Sequence, residues 1–301
     1  MPLVTAAIPT YNRARFLAAA LESVFAQTFA DYEVVVVDDG STDETPAVLE
    51  QYLDRIRYFR QENTGRSGAR NACIRAARGR YISFLDSDDA WLPRKLELQV
   101  PILEARPEVG MVHGHVDMID EAGRPLPAQT EFHHRLWSAA HRHGVTYARY
   151  ALECRCFSST ATFRAQAFEK VGLYDTALAL DDFELYLRIA LDYEIVFLDS
   201  PVACYRSHGE NMDPTELTLG QIQGALKHLA ILEERPDVPD AAEARRNLYV
   251  TLARSYNVLG DQQNARRFAV RALQPDRLGV EMLRRTLVSL LPRRAIAGVR
   301  G

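Results

Sequence analysis

The sequence predicts an α/β fold, a mostly parallel sheet flanked by helices, followed by an all-α C-terminal extension. Three observations carry this. Apolar strand-like runs alternate with helix-period segments over the first hundred residues. The stretch "YEVVVVDDGSTDE" holds consecutive valines from Val34 to Val37, which suits a strand covered on both faces, as in parallel sheets. After Pro214 the pattern becomes almost continuous amphipathic helix.

Taken in order, Leu3 to Ile8 is a short apolar run ended by Pro9. Phe16, Leu17, Ala20, Leu21, Val24 and Phe25 follow the helical period. Glu33 to Val37 is the next strand, Thr45 to Leu53 a helix and Ile56 to Phe59 a short strand. "GRSGARNACIRAARGR" reads as a helix entered through Gly65 and Gly68 and ended by Gly79. Tyr81 to Leu85 is a strand, and Lys95 to Glu104 a helix. "EVGMVHGHVDMID" reads as a further strand, and residues 121–150 as irregular. Strand signals return at 159–164, "EIVFLD" and "VACYR", with a helix beginning at Asp181-Asp182 between them. In such doubly wound sheets, ligands sit outside the carboxyl ends of the strands.

Composition narrows the function. The chain has 301 residues and a formal net charge of -4, without the basic balance of a nucleic-acid binder. Its four cysteines form no C-x-x-C pair and no zinc framework, which suits a reducing cytoplasm. The N-terminus lacks the pattern of a signal peptide. No run approaches the roughly 20 apolar residues needed to span a bilayer.

Four polar clusters fall at element ends: Pro9-Thr10-Tyr11-Asn12, Asp38-Asp39-Gly40-Ser41, Asp86-Ser87-Asp88-Asp89 and Asp181-Asp182. Each alone is explained by turn and cap chemistry. The first three follow strands of one sheet and should converge on one edge. A D-x-D spacing on an extended turn brings two carboxylates near one another. Mg²⁺ is commonly held by one or two carboxylates completed by phosphate oxygens and water. That arrangement suits a nucleotide diphosphate bridged through a metal.

"AIPTYNRARFLAAALESVFAQTF", "YEVVVVDDGSTDET", "NTGRSGARNACIRAARGRYISFLDSDDAWLP" and "VGLYDTALALDDFELYLRIA", in this order, resemble a family 2 glycosyltransferase over about residues 1 to 210. The resemblance implies a GT-A fold, with a Rossmann-like nucleotide-binding half and an acceptor-binding half. It implies transfer of a sugar from a nucleotide-diphosphate sugar to an acceptor hydroxyl, with inversion, in polysaccharide, glycolipid or other glycoconjugate assembly. The expected domains are 1–213, divided at residue 110, and a helical extension 214–301.

Roles follow from the resemblance. Pro9, Tyr11 and Asn12 match the segment at the nucleobase, and Asp39 the acid that recognises base or ribose, with Asp38 supporting the turn. Arg66 and Arg70 approach the base or diphosphate, or are solvated helix residues. Asp86 and Ser87 lie at the nucleotide. Asp88, with Asp86 and His208, matches a site for Mg²⁺ or Mn²⁺, and Arg206 faces the diphosphate. Asp89 is expected to cap the helix behind Pro93. Asp182 matches the catalytic base; Asp181 and Glu184 have capping-box spacing. The histidines at 113, 115, 133, 134, 141 and 143 are not read as a metal site. Trp91 is expected in the core, and Trp137 is a candidate for stacking on sugar.

Residues 247–276 resemble a tetratricopeptide unit. Beyond Glu281, Arg284, Arg285, Arg293, Arg294 and Arg300 accompany Met282, Leu283, Leu287, Val288, Leu290 and Leu291. Such a basic amphipathic segment suits either packing or peripheral contact with an anionic inner membrane face. A lipid-linked acceptor would give that contact a purpose. The rival readings are a nucleotidyltransferase and a non-catalytic scaffold acting through its helical tail. "IPTYNRARFL" lacks the glycine-rich basic loop of the former, and the acids at 39, 86, 88 and 182 argue against the latter.

Overall fold

The computed structural model describes residues 1–141, 145–178, 181–235 and 237–273. Two units emerge: one from Met1–Val145, Arg155–Thr176 and Asp192–Asn211, the other from Thr146–Cys154, Ala177–Leu191 and Met212 onward.

The first unit is built on an eight-stranded sheet. Its strands are β1 (Val4–Thr10), β2 (Tyr32–Asp38), β3 (Arg57–Arg60), β4 (Tyr81–Phe84), β5 (Ala90–Trp91), β6 (Val109–Ile119), β7 (Thr162–Arg164) and β8 (Glu194–Arg206). The order is β3-β2-β1-β4-β7-β6-β8-β5. The β1–β2, β2–β3, β1–β4 and β6–β8 pairings are parallel; β7 runs against both β4 and β6, and β5 against β8. Every strand but β5 and β7 therefore points the same way, and the ends of β1, β2, β4, β6 and β8 reach one edge.

The valine run of β2 is buried throughout, as a doubly covered strand requires. Helix α1 (Ala14–Phe25) buries Phe16, Leu17, Ala20, Leu21 and Val24, and Leu17, Leu21 and Val24 join a core with Ile8, Val34, Val36 and Trp91. After α2 (Thr45–Glu50), helix α3 (Gly65–Ala76) packs on β1 and β2 and is followed by Gly79. A Cβ at Gly79 would stand 2.5 Å from the Thr5 nitrogen, so only glycine lets the chain enter β4 this close to β1. Helix α4 (Lys95–Ala105) follows β5.

The stretch 121–150 is not irregular. It contains α5 (Pro127–His141), opened by a proline, and α6 (Tyr147–Leu152), capped by Thr146. Its histidines hide the helical spacing of Phe132, Leu136, Trp137 and Ala140. "EIVFLD" and "VACYR" are one strand, β8, whose register with β6 shifts around His115 and Pro201. Trp137 is buried against His133 and Phe157, which removes it from the sugar-stacking candidates. His115 Nε2 lies 2.7 Å from Asp199, and His134 contacts the Val116 carbonyl and Asp117. Helix α7 (Ala165–Val171) follows β7.

In the second unit, α6 and α8 (Asp181–Asp192) are grouped with α9 (Pro214–Glu234), α10 (Ala241–Leu259) and α11 (Gln262–Ala272). Asp213 caps α9 by accepting from the Thr215 amide. Gly260, at φ +83°, closes α10 and allows α11 to fold back, so that Tyr256 stacks on Phe268. Asn247 and Thr251 of α10 donate to the Ala148 and Ala151 carbonyls of α6. The Glu184 carboxylate is buried and pairs with Arg188 and Lys227. His228 lies between the Tyr147 hydroxyl and the Glu184 carbonyl. Among the described residues no helix is long and apolar enough to cross a membrane. The basic segment beyond Glu281, His143, and the side chains of His141 and Asp181 lie outside what is described.

Burial pushes the His228 ring from an ordinary 6.5 down to about 4. The unfolded chain therefore takes up a proton that the folded chain resists. This stability is full above pH 6.5 and is lost as the pH falls toward 4. His228→Gln should flatten that slope. In denaturant titrations at pH 7 and 4.5, wild type should lose roughly 2 to 3 kcal/mol more than the variant.

Candidate active site

The site is assembled where β1, β2, β4 and β8 end. Pro9 is the buried penultimate residue of β1, paired with Val37. Tyr11 leaves the strand 44% exposed. Asn12 takes a left-handed conformation, φ 51°. Its side-chain oxygen accepts from the Thr42 amide at 2.8 Å, and its own amide donates to Ser41 Oγ at 2.9 Å. The loops after β1 and β2 are thus tied together, with Tyr11 projecting beside them.

The paired acids after β2 divide their work. Asp38 is fully buried and accepts from the Ser41 amide and the Tyr58 hydroxyl, supporting the turn as expected. Asp39 accepts from the Thr64 amide at 3.0 Å, the Gly65 amide at 2.9 Å and the Gln61 amide group at 2.6 Å. It thereby caps α3 from another loop, a favourable place for an anion. Arg66, in the first turn of α3, is exposed. Arg70, one turn on, is only 1% exposed and donates to Asp86 Oδ1 at 2.9 Å. A solvated role is therefore excluded for Arg70.

The turn Asp86-Ser87-Asp88-Asp89 sends its three carboxylates to different partners. Asp86 faces Arg70. Asp88 Oδ2 lies 3.1 Å from His208 Nε2 and 3.2 Å from Arg13 Nε. Asp89 does not cap α4; Arg94 stands at its N-cap position, and the Leu96 amide of its first turn donates to Gln27 Oε1 at 3.1 Å. It points inward instead, accepting from Ser159 Oγ at 2.6 Å and from the Arg206 amide at 3.0 Å. Burial holds the Asp89 carboxyl well above the ordinary carboxylate range, and the charges of Asp88 and Asp86 push the same way. Ser87 is buried within the turn.

Arg206 and His208 arrive from β8. The Arg206 guanidinium donates to the Asp88 carbonyl at 2.8 Å and the Glu121 carbonyl at 3.1 Å, joining the turn after β4 to the loop after β6. The Glu210 amide lies 3.2 Å from His208 Nδ1, and Nε2 faces both Asp88 Oδ2 and, at 3.2 Å, Asn211 Nδ2. Asn211 clasps this turn through the His208 amide and the Arg206 carbonyl.

Asp88 and His208 offer a carboxylate oxygen and an imidazole nitrogen converging on one point, a donor pair that fits a divalent cation needing few protein ligands. Asp86, the other acid of the D-x-D pair, gives its Oδ1 to Arg70. Among the described residues, no three His, Cys, Asp or Glu side chains form a metal-holding group. In the helical unit, Asp182 Oδ1 accepts from the Tyr186 hydroxyl at 3.3 Å.

Sequence reasoning missed Arg13, Ser159 and Glu210. Arg13 follows Tyr11 and Asn12 directly, and nothing in its local pattern separates it from a solvated arginine before a helix. Ser159 and Glu210 meet Asp89 and Arg13 across separations of 70 and 197 residues, which leave no local pattern.

The model of glycosyl transferase family 2 matches residues 5–172. The chain belongs to that family. An uncharacterized glycosyltransferase of Nostoc sp. is 35% identical over 221 residues, 69% of this chain and 66% of that one. The chain thus spans slightly less than two thirds of that relative's length. The UDP-Glc:alpha-D-GlcNAc-diphosphoundecaprenol beta-1,3-glucosyltransferase of Escherichia coli is 37% identical over 120 residues, 39% of this chain and 47% of that one. A mannosyltransferase from Pyrobaculum calidifontis, solved with GDP-Man and Mn2+, superposes with a TM-score of 0.65 at 21% identity, covering 96% of this chain and 80% of that chain. The family 2 chain therefore has the GT-A fold, with helices following the mixed sheet.

Ser159 Oγ accepts from the Asp86 amide and donates to Asp89. Ser159→Ala should leave the buried Asp89 carboxyl and the part-buried Asp86 amide each short of a bond. The expected loss is about 2 kcal/mol of unfolding free energy in denaturant titrations.

Proposed function

We propose that this protein transfers a sugar, with inversion, from a nucleotide-diphosphate sugar to the hydroxyl of a sugar or lipid-linked acceptor in polysaccharide or glycoconjugate assembly. The observation that carries the reading is the meeting of Asp88 and His208 at the strand ends where Tyr11, Asp39 and the Arg70–Asp86 pair also lie. Family membership supports it, as does the E. coli relative, whose name specifies a nucleotide-sugar donor and a lipid-diphosphate acceptor.

In this reading Tyr11 offers an exposed ring for the base, with Pro9 and Asn12 fixing its loop. Asp39, Arg66, Asp86 and Ser87 frame the nucleoside, and buried Arg70 holds Asp86 in place. Asp88 would hold Mg²⁺ or Mn²⁺ through its carboxylate, with the His208 ring beside it. A bound divalent cation would stabilise negative charge on the departing diphosphate. Arg206 acts through the Asp88 turn, which its guanidinium holds by backbone carbonyls. Asp182 takes the proton of the acceptor hydroxyl as the acceptor oxygen bonds to the anomeric carbon. The bond from that carbon to the diphosphate oxygen breaks, and the diphosphate leaves with the electron pair. The Tyr186 hydroxyl orients the Asp182 carboxylate.

Asp182→Asn keeps the size of the side chain and removes the base. Transfer, followed by mass spectrometry over a panel of nucleotide-sugar donors and acceptors, should fall by about 10³-fold or more. Nucleoside-diphosphate affinity should stay within about twofold of wild type. An equal fall in binding and transfer would show that Asp182 is not the base.

A further inference from the structure

Asp88 Oδ2 faces two groups at once, His208 Nε2 at 3.1 Å and Arg13 Nε at 3.2 Å. Arg13 is itself shared. Its Nη1 donates to Glu210 Oε2 at 2.9 Å, and its Nη2 reaches the Glu210 carbonyl at 3.4 Å. The other Glu210 oxygen accepts from Arg15 Nη2 at 3.1 Å, and Arg15 Nη1 pairs with Glu121 Oε1 at 2.5 Å. Loops following β1, β6 and β8 are thus joined by charges that end on one carboxylate.

Folding does not account for this chain of ion pairs. The side chains of Arg13 and Glu210 are 23% and 54% exposed. Pairs that exposed typically add less than about 1 kcal/mol. What the arrangement does is neutralise Asp88. The guanidinium occupies a lone pair on the oxygen that also faces His208, and a divalent cation at this point needs that oxygen. Two cations on one carboxylate oxygen repel one another. Arg13 has no distance to travel when displaced, because its Nη1 already rests on Glu210.

The geometry points to Arg13 as the stand-in cation of Asp88, and to Glu210 as the acceptor that receives the guanidinium when a divalent cation takes its place. Both are positioning residues, and the assignment rests on the reading of Asp88 as cation ligand. The exchange keeps a positive charge at the strand-end edge, where it faces any anionic diphosphate bound there. It also ties cation binding to the Ser207–Asn211 turn, since Glu210 supplies both the carboxylate for Arg13 and the amide for His208 Nδ1.

The test is Mn²⁺ titration of the full chain without nucleotide, read by the electron paramagnetic resonance signal of the free ion at low salt. Wild type, Asp88→Asn, Arg13→Gln, Glu210→Gln and the double variant are compared, with thermal melts confirming folding. Asp88→Asn should lose the site. Arg13→Gln should bind Mn²⁺ about tenfold more tightly than wild type, because the competitor is gone. Glu210→Gln should bind about tenfold more weakly, because Arg13 then has no second acceptor. In the Arg13→Gln background, Glu210→Gln should have almost no effect. Additive effects of the two substitutions would mean that each acts through space, and would overturn the exchange while leaving the cation site intact. Effects of the same sign in both single variants would also overturn it. Mn²⁺ binding that ignores Asp88→Asn would remove the cation reading itself, and the exchange with it.

Discussion

Asp86, Asp88 and Asp89 crowd three carboxylates into four residues, and their mutual repulsion is the constraint around which the sheet edge is arranged. Each is given a different remedy. Asp86 faces a buried guanidinium, Arg70. Asp88 faces an imidazole and a second guanidinium. Asp89 is withdrawn into the core, where Ser159 and the Arg206 amide hold it and burial favours its protonated form. Withdrawing Asp89 takes its charge away from the exposed edge and leaves Asp86 and Asp88 to face what binds there.

The remainder of the sheet unit serves this turn. Strand β4 reaches the edge only because Gly79 lets it lie against β1. Ser159 sits in a single 3₁₀ turn, Ser158–Thr160, whose carbonyls also accept from Lys95 and from the Trp91 ring. Lys95 is fully buried there, and burial pushes its amine well below the ordinary lysine range. Trp91 is thus a core residue with a polar tether, which fixes the chain immediately after the acids. On the other side, Arg206 closes the turn by its amide and its guanidinium together. The proposed cation site is in this sense a consequence of how Asp89 is buried.

Much of this was legible in the residues. The valine run declared a doubly covered strand, and the D-x-D turn after an apolar strand declared acids at a sheet edge. Local pattern failed where the determining contact is distant. Asp89 reads as a helix cap because a helix follows, whereas its actual partners lie on residues 159 and 206. Arg70 carries the charge of a surface residue, yet its salt bridge to Asp86 allows it to be buried. Helix α5 was obscured by its histidines, of which His134 meets the Val116 carbonyl and Asp117 of β6 and His133 packs on Trp137 and Phe157. The bulged register opposite His115 made β8 read as two strands, because Asp199-Ser200-Pro201 resembles a turn. Arg13 was visible in the sequence, but only the folded chain brings Glu210 and Asp88 to it.

The central claim is that this edge binds a nucleoside diphosphate through a cation held by Asp88. Calorimetric titration of UDP, GDP and dTDP into wild type and Asp88→Ala, with and without Mn²⁺, tests it directly. At least one diphosphate should bind wild type, Mn²⁺ should tighten it about tenfold or more, and Asp88→Ala should abolish the tightening while retaining weaker binding. No heat of binding for any of the three, with or without the ion, would contradict the account.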